Sequence, residues 1–162
     1  QQFLVHLQDN IQLEGLYTDP DLTLQAHSAE IGPAMVDRIA DMIARIHWTR
    51  DDIRQFLGAY LTEPKAHIFF DSPEDPLEHD EFLERCANGY RLDARSLLLF
   101  SEDQFFLNGE QVAVSAADES IMKTLADHRR IDSLAGLSVE GEALLYDWYC
   151  CGFAYPFGLE SE

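Results

Sequence analysis

One dipeptide constrains this chain more than any other. Asn108-Gly109 lies between FFL and EQVAV. A two-residue type I′ turn needs positive φ at both central positions, and Asn-Gly adopts them at the least steric cost. The pair predicts a hairpin within QFFLNGEQVAV, with another strand over residues 90–100, YRLDARSLLLF. The flanking segments have helical periods instead. LEHDEFLERCANG reads as a helix closed by Gly89, and ADESIMKTLADHRR as one begun by Ser115 and Asp118, with Ile121, Met122 and Leu125 inward. VEGEALLYDWYCCG carries Leu144, Leu145, Trp148 and Tyr149 on its apolar side and stops at Gly152, and FAYPF follows as a short extended tail. Helices around a hairpin predict a winged-helix domain over residues 66–162.

The first half is helical. Residues 1–10 read as the end of a helix, and with no initiator Met before it an upstream segment is expected. Residues 11–32 read as a loop, and Pro33 suits a first helical position. PAMVDRIADMIARIHW then places Met35, Val36, Ile39, Met42, Ile43 and Ile46 in a wide apolar stripe. Thr49 and Asp52 form a T-x-x-D helix start. DDIRQFLGAYL puts Ile53, Phe56, Leu57, Tyr60 and Leu61 on one face. Pro64 ends this half, and DSPEDP (residues 71–76) is a linker or rigid connection. The expected fold class is therefore mainly α with a small β part (α+β), with residues 1–65 a helical domain and 66–162 the winged helix. A stripe this wide can cover two neighbours. Met35, Ile39, Met42, Ile43, Ile46, Phe56 and Tyr60 are the candidate interface of a homodimer, and the alternative is that both neighbours lie within the chain.

Composition narrows the function classes. The chain has 162 residues, with 11 basic and 30 acidic side chains and a formal net charge of −19. Residues 66–162 hold 6 of the bases and 20 of the acids. Such a surface repels phosphate backbones at long range and attracts a basic protein. The best basic cluster, Lys123, His128, Arg129 and Arg130, is surrounded by Asp118, Glu119, Asp127 and Asp132. Nucleic-acid binding therefore ranks below protein contact. No apolar run approaches the ~20 residues of a membrane span. Three cysteines, Cys86, Cys150 and Cys151, give an odd count with no C-x-x-C, which reads as reduced thiols in a cytoplasmic protein. Cys150 and Cys151 end an apolar helix and are expected to be buried rather than reactive.

No complete active site is legible. Asp19, Asp21 and His27 share a polar loop, but they lack the spacing of a calcium loop and a third strong ligand for iron or zinc. Asp19-Pro20 makes a good turn instead. The other histidines, His6, His47, His67, His79 and His128, fit no H-x-D or H-E-x-x-H pattern, and neither G-x-S-x-G nor a glycine-rich phosphate loop occurs.

The order of the remaining motifs resembles that of one family. Tyr17, Asp19-Pro20-Asp21 and Ala26-His27-Ser28 come first, followed by YLTEPK at Tyr60 to Lys65 and then DSPEDP. An F-x-N-G-E hairpin from Phe106 to Glu110 and L-x-x-W-Y from Leu145 to Tyr149 complete the series. This order resembles the region after the catalytic barrel in bacterial cupin/JmjC-type ribosomal oxygenases, which hydroxylate an arginine of the sixteenth large-subunit ribosomal protein. The resemblance implies a helical dimerisation domain followed by a winged helix. Fe(II) and 2-oxoglutarate would be held by an N-terminal double-stranded β-helix barrel absent from this chain, and a basic ribosomal protein would be the substrate of the parent enzyme. The barrel's H-x-D…H triad is missing here, so no catalytic, cofactor-binding or metal-binding residue carries over. Two other classes stay open: a stand-alone acidic winged-helix adaptor for a basic protein, and a winged helix that binds nucleic acid.

Overall fold

The computed structural model describes residues 1–10, 27 and 29–159. The chain forms two compact units, Gln1–Ile53 and Arg54–Glu162. The first holds α1 (Gln2–Asn10), α2 (Pro33–Ala44) and the start of α3 (Arg50–Thr62). Pro33 occupies the first turn of α2, where its missing N–H costs nothing. The T-x-x-D signal is a reciprocal capping box: the Thr49 N–H donates to the Asp52 carboxylate at 2.6 Å, and the Asp52 N–H donates to the Thr49 hydroxyl at 3.1 Å.

The second unit contains α4 (His79–Cys86), β1 (Tyr90–Leu92), β2 (Leu98–Ser101), β3 (Gln104–Leu107), β4 (Glu110–Val112), α5 (Glu119–His128), β5 (Arg130–Ile131), α6 (Val139–Cys150) and β6 (Ala154–Pro156). They make two antiparallel three-stranded sheets, ordered β5-β1-β6 and β2-β3-β4. Asn108 and Gly109 take φ of +50° and +97°, as the hairpin turn requires. The core gathers Phe82 from α4, Tyr90 from β1, Phe105 from β3, Met122 and Leu125 from α5, and Leu145 from α6, all fully buried. The Tyr90 hydroxyl donates to the Leu145 carbonyl at 2.7 Å, so burying the ring leaves no polar atom unpaired.

Two expectations need correction. The strand expected over residues 90–100 is two strands in different sheets. Asp93 breaks it, because its carboxylate accepts the Arg95 backbone N–H at 2.8 Å while its carbonyl accepts the Ser96 N–H at 3.0 Å. This local turn outcompetes the ladder. The helix expected to reach Arg130 ends at His128, where Arg129 turns left-handed with φ +60° and hands the chain to β5. The FAYPF tail is extended as expected, and β6 goes further by pairing with β1 along Tyr90–Pro156, Arg91–Tyr155 and Leu92–Ala154.

DSPEDP is a rigid strap on the second unit. Arg95 donates to the Phe69 carbonyl and to Asp71, each at 2.8 Å. The Tyr146 hydroxyl donates to the Leu77 carbonyl at 2.8 Å, and the Leu77 N–H donates to the Tyr149 hydroxyl at 3.2 Å.

Asp118 joins α5 to α6. It is 1% exposed and accepts the Ser115 hydroxyl (2.6 Å), the Ser138 hydroxyl (2.6 Å) and the Ser138 N–H (2.7 Å). Ser138 in turn caps α6 by accepting the Gly141 N–H at 3.1 Å. Burial pushes the Asp118 carboxyl up, but the three donors outweigh it and hold the group below its ordinary value of 3.8. Its stabilisation is therefore complete above that value and is lost as pH falls through the lower folded-state pKa. Asp118→Ala is expected to cost about 3 kcal/mol, because it strands two serine hydroxyls and a backbone donor. Urea unfolding at neutral pH measures this loss. Repeating it in acid should show the gap between wild type and variant closing, and a gap constant with pH would contradict the linkage.

Candidate functional site

The apolar stripe of α2 stays uncovered. No residue of α2 is buried, and Val36, Ile39 and Ile43 are 54%, 40% and 62% exposed. Met35 and Met42 are also exposed, on the same spacing. Monomeric proteins rarely present a contiguous face of this kind. Ile46 does not continue it. The helix ends at Ala44 as the Arg45 and Ile46 N–H groups bond back three residues to Met42 and Ile43, and Ile46 lies half-buried in the connection to Thr49. On α1, Leu4 and Val5 are exposed as well, while Phe3 packs edge-on against Trp48 with centroids 6.0 Å apart.

Helix α3 leaves most of its apolar face exposed and buries the opposite side. Phe56 and Tyr60 stack with centroids 5.3 Å apart, but Tyr60 is exposed, as are Ile53, Leu57 and Leu61. The buried residues are Gly58 and Thr62. A Cβ on Gly58 would stand 2.3 Å from the Phe106 ring, so only glycine permits the helix this close to β3. The Thr62 hydroxyl donates to the Gly58 carbonyl at 2.7 Å and accepts the Gly109 N–H of the hairpin turn at 2.9 Å. Hydropathy patterns miss this contact because it is made of a residue without a side chain and a hydroxyl. The one signal was a glycine inside a helical pattern, which is usually there for packing.

The predicted basic cluster is divided rather than presented as a row. Lys123 pairs with Glu119 and lies 5.3 Å from the Phe100 ring centroid. The Arg129 guanidinium donates to the Asp93 carbonyl at 2.7 Å and to the Ser96 carbonyl at 3.0 Å. His128 and Arg130 are exposed.

Of the loop Asp19, Asp21 and His27, the two aspartates lie outside the described residues, and His27 is exposed. Among the described residues, no three His, Cys, Asp or Glu side chains gather where they could hold a metal ion. The cysteine expectation is half right. Cys86 is buried and Cys150 half-buried, but Cys151 is exposed. Partial burial, then Cys150, Asp147 and Glu110, push the Cys151 thiol up, which disfavours the thiolate. Burial alone pushes Cys86 up to about 12.

The model of the ROXA-like winged helix family matches residues 39–155. The chain belongs to this family. A curated relative, the ribosomal protein uL16 3-hydroxylase of Escherichia coli (strain K12), is 25% identical over 99 residues, which cover 59% of this chain and 26% of that protein. The structure of YcfD, a ribosomal oxygenase from Escherichia coli, superposes with a TM-score of 0.71 at 19% identity, covering 97% of this chain and 45% of that one. A second structure of YcfD, in complex with cobalt and 2-oxoglutarate, superposes with the same score and coverage. The ROXA-like chain thus shares its α+β fold with less than half of these proteins' length. No helix among its described residues is long and apolar enough to cross a membrane.

The thiols differ in accessibility. In the native ROXA-like chain, a disulfide reagent at neutral pH should label Cys151 slowly and leave Cys86 untouched until denaturant is added. Native labelling of Cys86 would contradict its place in the core.

Proposed function

We propose that this chain is the non-catalytic C-terminal region of a cytoplasmic Fe(II)- and 2-oxoglutarate-dependent oxygenase that hydroxylates an arginine of a large-subunit ribosomal protein. Residues 1–65 form its dimerisation domain and residues 66–162 its winged helix. The family match over residues 39–155 carries this reading. The relative that acts on uL16 and the YcfD complex with 2-oxoglutarate suggest the substrate class and the co-substrate. The iron and 2-oxoglutarate belong to a barrel N-terminal to these residues. Here the chain's own residues would assemble two copies and receive a basic substrate.

The homodimer reading is supported by the uncovered stripe of Met35, Val36, Ile39, Met42 and Ile43. An apolar face left 36–62% exposed leaves unused roughly 25 cal/mol for each Å² that a second copy would remove from water. The charge of −19 supports a basic protein partner over nucleic acid.

Ile39→Glu or Ile43→Glu should give a monomer by light scattering with unchanged helical circular dichroism. A variant that stays dimeric would place the interface elsewhere. For the parent enzyme, substrate Kd should rise with salt, because exposed charges more than ~10 Å apart are screened at about 0.1 M. A Kd independent of salt would remove the charge-steering part of the proposal.

A further inference from the structure

The sequence holds the same dipeptide twice, Asn88-Gly89 and Asn108-Gly109. Asn-Gly is a chemically labile pair. The glycine backbone nitrogen, once it has given its proton to solvent base, can attack the asparagine side-chain carbonyl carbon, and glycine has no Cβ to hinder the approach. A bond forms between that nitrogen and that carbon, and the bond from the carbon to Nδ2 breaks. The side-chain nitrogen takes up a proton and departs as ammonia, leaving a five-membered imide. Water then adds to either imide carbonyl and opens the ring to aspartate or isoaspartate. The whole sequence needs only water.

The fold surrounds the two pairs differently. The Asn88 side chain is exposed, and the Gly89 N–H donates to the Cys86 carbonyl of α4 at 3.0 Å. At Asn108-Gly109 both reacting groups are held, each by a different segment. The Gly109 N–H donates to the Thr62 hydroxyl of α3 at 2.9 Å. That hydroxyl gives its own proton to the Gly58 carbonyl at 2.7 Å, so a lone pair stays turned towards Gly109. Thr62 is fully buried, so its side of the bond is closed to solvent base. The Asn108 carboxamide is tied in the other direction. Its Oδ1 accepts the Leu97 N–H at 2.9 Å, and its Nδ2 donates to the Ser96 hydroxyl at 3.3 Å. The nucleophile is thus bound to α3 and the electrophile to residues 96–97.

We propose that Asn108-Gly109 is a latent self-modification site, kept silent by the Thr62 hydroxyl of α3. When the end of α3 lifts from the hairpin, the Gly109 nitrogen is released and ring closure begins. Chemistry this slow follows the population of the open form rather than the rate of opening. The change runs one way. Asparagine and aspartate both suit a type I′ turn, but isoaspartate adds a carbon to the backbone and lengthens the turn between β3 and β4. Aspartate replaces the Nδ2 donor to Ser96 with an oxygen and adds a negative charge beside Glu110 and Glu63. Release of α3 is thereby recorded covalently in the hairpin. This holds whether or not the chain serves an oxygenase.

The test is to age the whole chain in mildly alkaline buffer and to measure aspartate and isoaspartate at residues 88 and 108 by peptide mass spectrometry. A short peptide of residues 104–114 gives the unguarded rate for Asn108. In the folded wild type Asn108 should react far more slowly than in the peptide. Thr62→Val keeps the branched shape without the acceptor and should raise the Asn108 rate about fivefold, the change in open population that one lost hydrogen bond makes. Asn88 is the internal reference and should keep its rate, while Thr62→Ser should match wild type at both sites. Wild-type Asn108 reacting as fast as the peptide would overturn the proposal without any variant. An unchanged Asn108 rate in Thr62→Val would overturn it too. So would equal acceleration at both sites, which marks global unfolding rather than release of α3.

Discussion

The turn at Asp93 is the node on which the winged-helix unit depends. Its carboxylate holds Arg95, and Arg95 holds the strap at Phe69 and Asp71. Its carbonyl holds Arg129, which redirects the chain from α5 into β5. Its backbone N–H donates to the Phe153 carbonyl at 2.8 Å, which fixes the approach to β6. One residue thus ends a strand, anchors a linker and sets the edge of a sheet. The Asp93 carboxylate is 7% exposed, so its own bonds to Arg95 form largely away from water, where an unmade partner is costly.

Much of this was legible in the sequence. The Asn108-Gly109 turn, the Thr49–Asp52 box, Pro33 and the inward faces of α5 and α6 follow from local rules, and the structure agrees with each. The features that were not legible have non-local causes. YRLDARSLLLF looks like one strand because strand propensity does not register a carboxylate bonding its own backbone. The short tail became β6 because β1 offered an open edge, and no residue within FAYPF announces that partner. The inward side of α3 was not legible because its closest contact is a glycine against a phenylalanine ring.

The candidate site was legible to a different degree. The α2 stripe was visible as a period and is found exposed, except that Ile46 falls outside the helix. The conspicuous cluster of Lys123, His128, Arg129 and Arg130 is divided: Lys123 joins a side-chain pair, Arg129 clamps a backbone turn, and His128 and Arg130 stay exposed. Membership of the ROXA-like family gives the fold a context, and the acidic surface and the bare α2 face are the physical features a partner would meet.

The central claim is that this chain serves a ribosomal-protein hydroxylase. The most direct measurement is mass spectrometry of a large-subunit ribosomal protein of the uL16 type. It would be incubated with the natural polypeptide that carries this sequence, with Fe(II), and with or without 2-oxoglutarate. The account predicts one added oxygen atom on an arginine, dependent on 2-oxoglutarate. An unmodified ribosomal protein under conditions where the polypeptide is folded and metal-loaded would contradict it.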